Sequence, residues 1–325
     1  MERLSIEFDS YAADPGRWGY SLVNDAELIV ACLDACGARS VVEVGAFAGD
    51  LTALLLDWAA TVGARVTAID PEPQEQLVRL ERSRAELDLV RATSHAALAE
   101  IAPPDAVVID GDHNYFTVTE ELRIVAERAE DGRLPLLLFH DVCWPHARRD
   151  DYYDPDAIPA EHRRAWVDGA GLFPGDPGTR PDGLPYRHPA AQEGGPGNGV
   201  LTAVEDFAAA RALRLAVVPA FFGLGVLWDE RAPYAAAVAE VVDPWDRNPL
   251  LERLEANRVF QLVARHAELA HVAELNERLR AQEAILRKLL ESRTFAVGQA
   301  LSGVRQRGAP AYSKDEIRRV LGDRG

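Results

Sequence analysis

The stretch Ser40-Val41-Val42-Glu43-Val44-Gly45-Ala46-Phe47-Ala48-Gly49 decides the fold. Ser40 to Val44 is apolar and β-branched, which favours a strand. The glycines then mark a turn, and from Leu51 to Ala60 apolar residues resume at helical spacing. A strand, a glycine loop and a helix in that order open a βαβ unit. Upstream, Leu22, Val23, Leu28, Ile29, Ala31, Cys32 and Leu33 predict a preceding helix that Gly37 breaks. Downstream, strands are predicted at Arg65 to Ile69, near Leu87 to Arg91, at Ala106 to Ile109 and at Leu134 to Phe139, with helices between them. Alternation at this interval predicts an α/β fold, a Rossmann-like, doubly wound parallel sheet.

Residues 143–199 break the alternation. Rich in proline and glycine, with Trp144, Tyr152, Tyr153, Trp166 and Tyr186 among them, they read as an insertion that serves as a lid or substrate loop. Its aromatics either stack on a substrate ring or form a small core of its own. The sheet is expected to resume with a helix at Leu201 to Arg211 and strands at Leu213 to Val218 and Phe221 to Trp228. From Leu250 onward the composition is helical. Leu275, Leu279, Gln282, Leu286 and Leu289 alternate four and three apart, as in a coiled-coil seam. That seam serves either a homodimer or packing on the chain's own domain. The expected organisation is a catalytic domain over 1–248, a helical coiled-coil extension over 249–295 and a flexible tail over 296–325, within which Lys314 to Leu321 can form a short helix.

The bulk composition narrows the function classes. With 52 acidic against 35 basic residues the formal charge is −17, which repels phosphate backbones and anionic membrane surfaces, so nucleic acid is not an expected partner. The most apolar stretch, Leu215 to Trp228, is too short for a membrane span and is interrupted by Pro219, Gly223 and Gly225. Charges at Glu2, Arg3, Glu7 and Asp9 leave no apolar signal-peptide core, and a cytoplasmic location is expected. Cys32, Cys36 and Cys143 are too few for a disulfide framework and read as plain thiols. The only lysines are Lys288 and Lys314, so a catalytic domain ahead of them needs another general base.

Two sets of residues carry chemistry. Glu43 and the glycine loop stand at the carboxyl edge of the first strand, where doubly wound folds bind ligands. Glu43 there suits a cationic sulfonium or amino group, and Asp70, ending the second strand, suits the hydroxyls of a ribose. The second set is Val108-Ile109-Asp110-Gly111-Asp112-His113-Asn114-Tyr115, paired with Leu138-Phe139-His140-Asp141-Val142. Both end apolar strands, so adjacent strands would bring Asp110, His113, His140 and Asp141 together near the loop. Oxygen ligands favour magnesium or calcium, whereas histidine admits manganese, iron or zinc. The alternative is that the aspartates cap helices and the histidines pack. His146, His162 and His188 lie in the insertion, where they either contact substrate or, the more common case, are incidental surface histidines; His266 and His271 belong to the helical tail.

The acidic residue and glycines at the first turn, with Asp70 after the second strand, resemble the first motifs of class I S-adenosylmethionine-dependent methyltransferases. Ala48 stands where many members carry glycine. The second set resembles the metal-dependent O-methyltransferases of the catechol and macrolide-sugar types, and the related cephalosporin-hydroxylase-like proteins, over roughly residues 20–230. The resemblance implies donor contacts from Glu43, Gly45, Phe47, Gly49, Asp70, Ser94, His95 and Asp110. It implies a divalent cation, magnesium or manganese, on Asp110, His140 and Asp141, with His113 as the general base. His140 departs from a position that is usually acidic. The implied acceptor is a small molecule with a hydroxyl to methylate: a sugar, glycoside, catechol or other natural product. A metal-dependent hydroxylase or nicotinamide oxidoreductase on the same fold, and a non-catalytic partner in a glycan or natural-product assembly complex, remain open at this point. Against the nicotinamide reading, the Gly-x-Gly-x-x-Gly phosphate loop is absent.

Overall fold

The structure, a computed structural model, describes residues 21–129, 132–294, 296–297, 317–318 and 321. The N-terminal charges at 2–9 and nearly all of the tail over 296–325, including most of the segment 314–321, lie outside the described residues. The chain divides into two compact units, residues 1–263 and 264–325.

The first unit is built on a seven-stranded sheet of order β3-β2-β1-β4-β5-β9-β8. Its strands are β1 (Ser40–Val44), β2 (Arg65–Ile69), β3 (Leu87–Val90), β4 (Ala106–Ile109), β5 (Leu136–Phe139), β8 (Arg214–Val218) and β9 (Leu224–Trp228). β1 to β5 pair in parallel, and β9 runs antiparallel to both β5 and β8. The central strands are buried on both faces, so β4 and β5 read as unbroken apolar runs and not as alternating ones.

Helices cover both faces. On one side lie α1 (Ala26–Cys36), α2 (Asp50–Val62) and α7 (Ala235–Val242), which contribute Ile29, Leu33, Leu55, Leu56 and Val238 to one core cluster. On the other, α4 (Ser94–Glu100), α5 (Tyr115–Arg128) and α6 (Val200–Arg211) contribute Leu98, Leu122, Val125 and Val204 to a second. The short α3 (Glu75–Ser83) seats Leu77 in the first cluster. The strand order reverses between the parallel neighbours β1 and β4, which opens a crevice at the carboxyl ends of those two strands.

Most elements match their expected positions, but the strand expected from Phe221 does not start there. Phe221, Phe222 and Gly223 all have positive φ, at 50°, 69° and 96°, and form a turn before β9. The insertion carries only the two-residue strands β6 (Gly171–Leu172) and β7 (Leu184–Pro185) and two short 3-10 turns, and buried side chains hold it in place. The Arg149 guanidinium is 1% exposed and donates to the carbonyls of Ala190, Pro177 and Gly178, tying two separate segments of the insertion together. Asp150, also buried, accepts from the Tyr115 and Gly199 amides and from the Tyr152 hydroxyl.

The last helix of the first unit is the start of α8 (Pro249–Glu291), where Glu255, Val259 and Val263, four residues apart, are buried. In the second unit Leu269, Val272, Leu275, Leu279, Ile285 and Leu289 are exposed along α8. Among the described residues no helix is long and apolar enough to cross a membrane.

Candidate functional site

Backbone contact closes the crevice at its floor. Gly45, at φ 82°, follows β1 and lies so close to β4 that a Cβ there would stand 2.0 Å from the Asp110 carbonyl oxygen. Only glycine fits both that conformation and that approach. The loop continues through Phe47, whose amide donates to Asp70 Oδ2 at 2.7 Å and whose ring is 62% exposed. Asp70 Oδ1 accepts from the Glu72 amide at 2.8 Å. The Asp70 carboxylate thus fixes the loop and keeps lone pairs for further hydrogen bonds. Gly49, with φ 83°, begins α2 against Leu80 and Leu77 of α3.

Glu43 lies beneath this loop, 3% exposed, and accepts from the Thr52 hydroxyl at 2.6 Å. Burial pushes its carboxyl up to about 8, against the Thr52 hydrogen bond and with help from Asp110, Asp50 and Asp70. Ser94 and His95 open α4 but face α5. His95 Nε2 lies 3.1 Å from the Thr117 carbonyl.

Glu121 is likewise pushed up to about 8 by burial. The unfolded value is about 4.3, so the folded state holds a proton that the unfolded state releases, and the associated stability is lost as pH rises through the folded value. Glu121→Gln keeps the shape and cannot ionise. Its stability relative to the parent is expected to increase steadily from about pH 5 to about pH 8, read by denaturant unfolding at several pH values. A difference constant with pH would contradict the buried carboxyl's charge state.

At the ends of β4 and β5 the structure brings Asp110, His113, His140 and Asp141 together. His113 Nε2 is 3.0 Å from Asp141 Oδ2 and 3.7 Å from Asp110 Oδ1. His140 Nδ1 is 3.1 Å from Asp110 Oδ1 and 3.3 Å from Asp141 Oδ2. His140 Nε2 faces the Phe221 carbonyl at 2.9 Å. That contact leaves Nδ1 as the working nitrogen, directed at the two carboxylates. Burial lowers both imidazoles, but the Asp141 and Asp110 carboxylates outweigh it and hold both well above the usual histidine value. Burial raises Asp141, and the two histidines outweigh it and hold its carboxyl well below the usual range. Asp141 has φ 58°, a left-handed conformation uncommon for a side-chain-bearing residue and concentrated at functional sites.

One ligand atom each from Asp110, His140 and Asp141 lies within 4.8 Å of the others, close enough for one cation. The donor set fits such an ion chemically. It offers two carboxylates and an imidazole whose other nitrogen is held by a backbone carbonyl, the usual support of a metal-binding histidine.

Asp112, the next acidic residue in the motif, turns away and accepts from the Tyr153 amide and the Asn114 and Thr117 side chains. Sequence reasoning missed His146. Expected at the surface, it is 3% exposed and stacks on His113 with centroids 4.6 Å apart. Its spacing from His140 was the only available signal, because the insertion's fold decides its burial. His162 and His188 also have partners, the Phe116 ring and Asp168. The described cysteines are free thiols, raised by burial to about 11 for Cys36 and about 12 for Cys32 and Cys143.

Comparison with known proteins adds a family. Residues 42–142, from β1 to just past β5, match a family model described as a methyltransferase domain. No curated protein matches the sequence. Among solved structures, a protein from Staphylococcus aureus provisionally assigned as a caffeoyl-CoA O-methyltransferase shares 10% identity, over 69% of this chain and 93% of that one, with a TM-score of 0.43. A methyltransferase from Podospora anserina solved with S-adenosylhomocysteine shares 11% identity over 68% and 85%, with a TM-score of 0.40. DesVI of Streptomyces venezuelae shares 14% over 68% and 96%, with a TM-score of 0.37. Likeness at this level adds nothing to the reading of the site. The family match spans the glycine loop and the acidic strand ends, so this part of the chain is similar to a methyltransferase domain, set on a Rossmann-like sheet with an antiparallel β9.

Proposed function

We propose that this chain methylates a hydroxyl of a small acceptor, with S-adenosylmethionine as donor and a divalent cation, magnesium or manganese, assisting. The convergence of Asp110, His113, His140 and Asp141 beside the glycine loop carries the reading. Asp110, His140 and Asp141 would hold the cation, which when bound lowers the pKa of an alcohol and fixes its position. The donor's sulfonium and amino group would lie along the acidic edge formed by Glu43, Asp70 and Asp110, with Phe47 at the mouth.

The chain's own residues then have separate tasks. Gly45 keeps the loop low against β4, so a ligand there can approach the Asp110 carboxylate. His113 Nε2 takes the acceptor's proton. The neighbouring carboxylates favour the charged form of His113, and a cation taking up their charge would free Nε2 to accept a proton. Asp141 sits between the two imidazoles and orients both.

An apolar cavity of about 640 Å³ is lined by Val142, Trp144, Leu201 and Val217, with Arg148 and Glu252 at its wall; it reaches the chain just after Asp141, and none of the four clustered residues lines it. Its size suits the body of a sugar or aromatic natural product. Residues 143–199 would close over such an acceptor as a lid, and the exposed leucines of α8 would form a homodimer seam. Cytoplasmic placement completes the proposal.

The deciding experiment is methyl transfer from labelled donor to a panel of vicinal diols, catechols and glycosides, with and without chelator. His113→Ala is expected to lower kcat by about 10²-fold, at the modest end for loss of a general base, while donor affinity measured by calorimetry stays within about threefold. Full activity of that variant with chelator present would overturn the mechanism.

A further inference from the structure

We propose that His113, Asp141 and His146 form a second cation site, for a divalent transition metal, whose occupation silences the base. The silencing half rests on the role given to His113 above; the site itself does not.

One ligand atom from each of the three residues lies within 4.8 Å of the others. His146 Nδ1 is buried and has no hydrogen-bond partner, and His113 Nε2 stands 3.0 Å from Asp141 Oδ2. A buried polar nitrogen left unpaired costs about 1–3 kcal/mol, so an orphaned imidazole nitrogen in this cluster marks a place built to be filled. The two rings stack at 4.6 Å with 20° between their planes, and both border the same aspartate. His146 cannot be accounted for as a packing residue alone, because a leucine would fill the space without orphaning a nitrogen.

The two cation sites would share Asp141, as carboxylates commonly do in two-metal centres. Their donors differ. Asp110, His140 and Asp141 offer two carboxylates and one imidazole, whereas the second group offers two imidazoles and one carboxylate. Magnesium favours oxygen and parts reluctantly with water, while zinc and cobalt favour imidazole, so the second site discriminates against magnesium. With Nε2 ligated, His113 has no lone pair to accept a proton, and methyl transfer stops.

The test is titration of the full chain with Co²⁺ in saturating Mg²⁺, followed by visible absorption and calorimetry. Bound Co²⁺ is expected to persist under excess Mg²⁺ and to be displaced by Zn²⁺. His146→Gln is expected to weaken Co²⁺ binding at least about 10-fold, and Asp110→Asn to leave it within about threefold. Independently of any variant, Zn²⁺ is expected to shift the ring-nitrogen NMR signals of His146 in the wild-type chain. Unchanged Co²⁺ affinity in a folded His146→Gln, or unmoved His146 signals, would overturn the site. Zn²⁺ is also expected to inhibit the Mg²⁺-supported reaction of the wild type and not that of His146→Gln. Binding without inhibition would overturn the silencing alone, and binding in a chain with no methyl transfer at all would overturn the proposed function and leave the site standing.

Discussion

Asp141→Asn is expected to lower kcat/KM for methyl transfer by about 10³-fold, a loss of several kcal/mol of transition-state stabilisation. The carboxylate is the group shared by both imidazoles, with Oδ2 at 3.0 Å from His113 and 3.3 Å from His140. An amide in its place keeps the volume and loses the charge that, in the proposed mechanism, would hold a cation and orient His113. The backbone there has φ 58°. Asparagine adopts that region as readily as aspartate, so the variant should fold with its turn intact. The thermal transition and the donor's dissociation constant are the controls, both expected to change little. A variant retaining a tenth or more of the parent activity would remove Asp141 from the mechanism.

Gly45→Ala is the second large effect, and it acts on the fold. An added methyl would stand 2.0 Å from the Asp110 carbonyl oxygen and 2.8 Å from Gly111 Cα, both backbone atoms of the neighbouring strand end. The φ of 82° adds a conformational cost. Relief requires β1 and β4 to part at the crevice, where Gly45 also donates to the Ile69 carbonyl at 2.9 Å. The loss should exceed about 4 kcal/mol, in the exceptional range for a single substitution. Urea unfolding followed by circular dichroism would measure it. Gly63→Ala, equally left-handed but with nothing within 4 Å, isolates the conformational part and should cost about 1 kcal/mol. Similar losses for the two variants would mean that the close approach does not matter.

Particular elements show how far the sequence could be read. β1, β2 and β4 occupy their predicted residues because β-branched runs between glycine and charged turns have no competing pattern. The Phe221–Gly223 turn was read as strand because three apolar-compatible residues precede an apolar run. What bends it is remote: Glu255 of α8 accepts from the Phe221 and Phe222 amides at 3.1 Å and 2.8 Å. Propensity cannot see a carboxylate that far along the chain. Asp110, His140 and Asp141 were legible because they follow directly on the ends of β4 and β5, where register fixes the neighbours, and His113 because it lies three residues beyond Asp110 in the same turn. His146 was not. Its burial depends on Arg149 and Asp150 gathering a segment with almost no regular structure, and composition carries no trace of such tertiary order.

The turn held by Glu255 reaches further than its own two amides. Because Phe221 offers its carbonyl to His140 Nε2, the tautomer of a histidine at the sheet edge is set from α8, a helix that supplies none of the clustered side chains. Selection acting on the site therefore has a remote adjusting screw. Substitutions around Glu255 and its ion-pair partner Arg258 can shift how firmly that imidazole is aimed across descendants of this chain while every residue in the cluster stays the same.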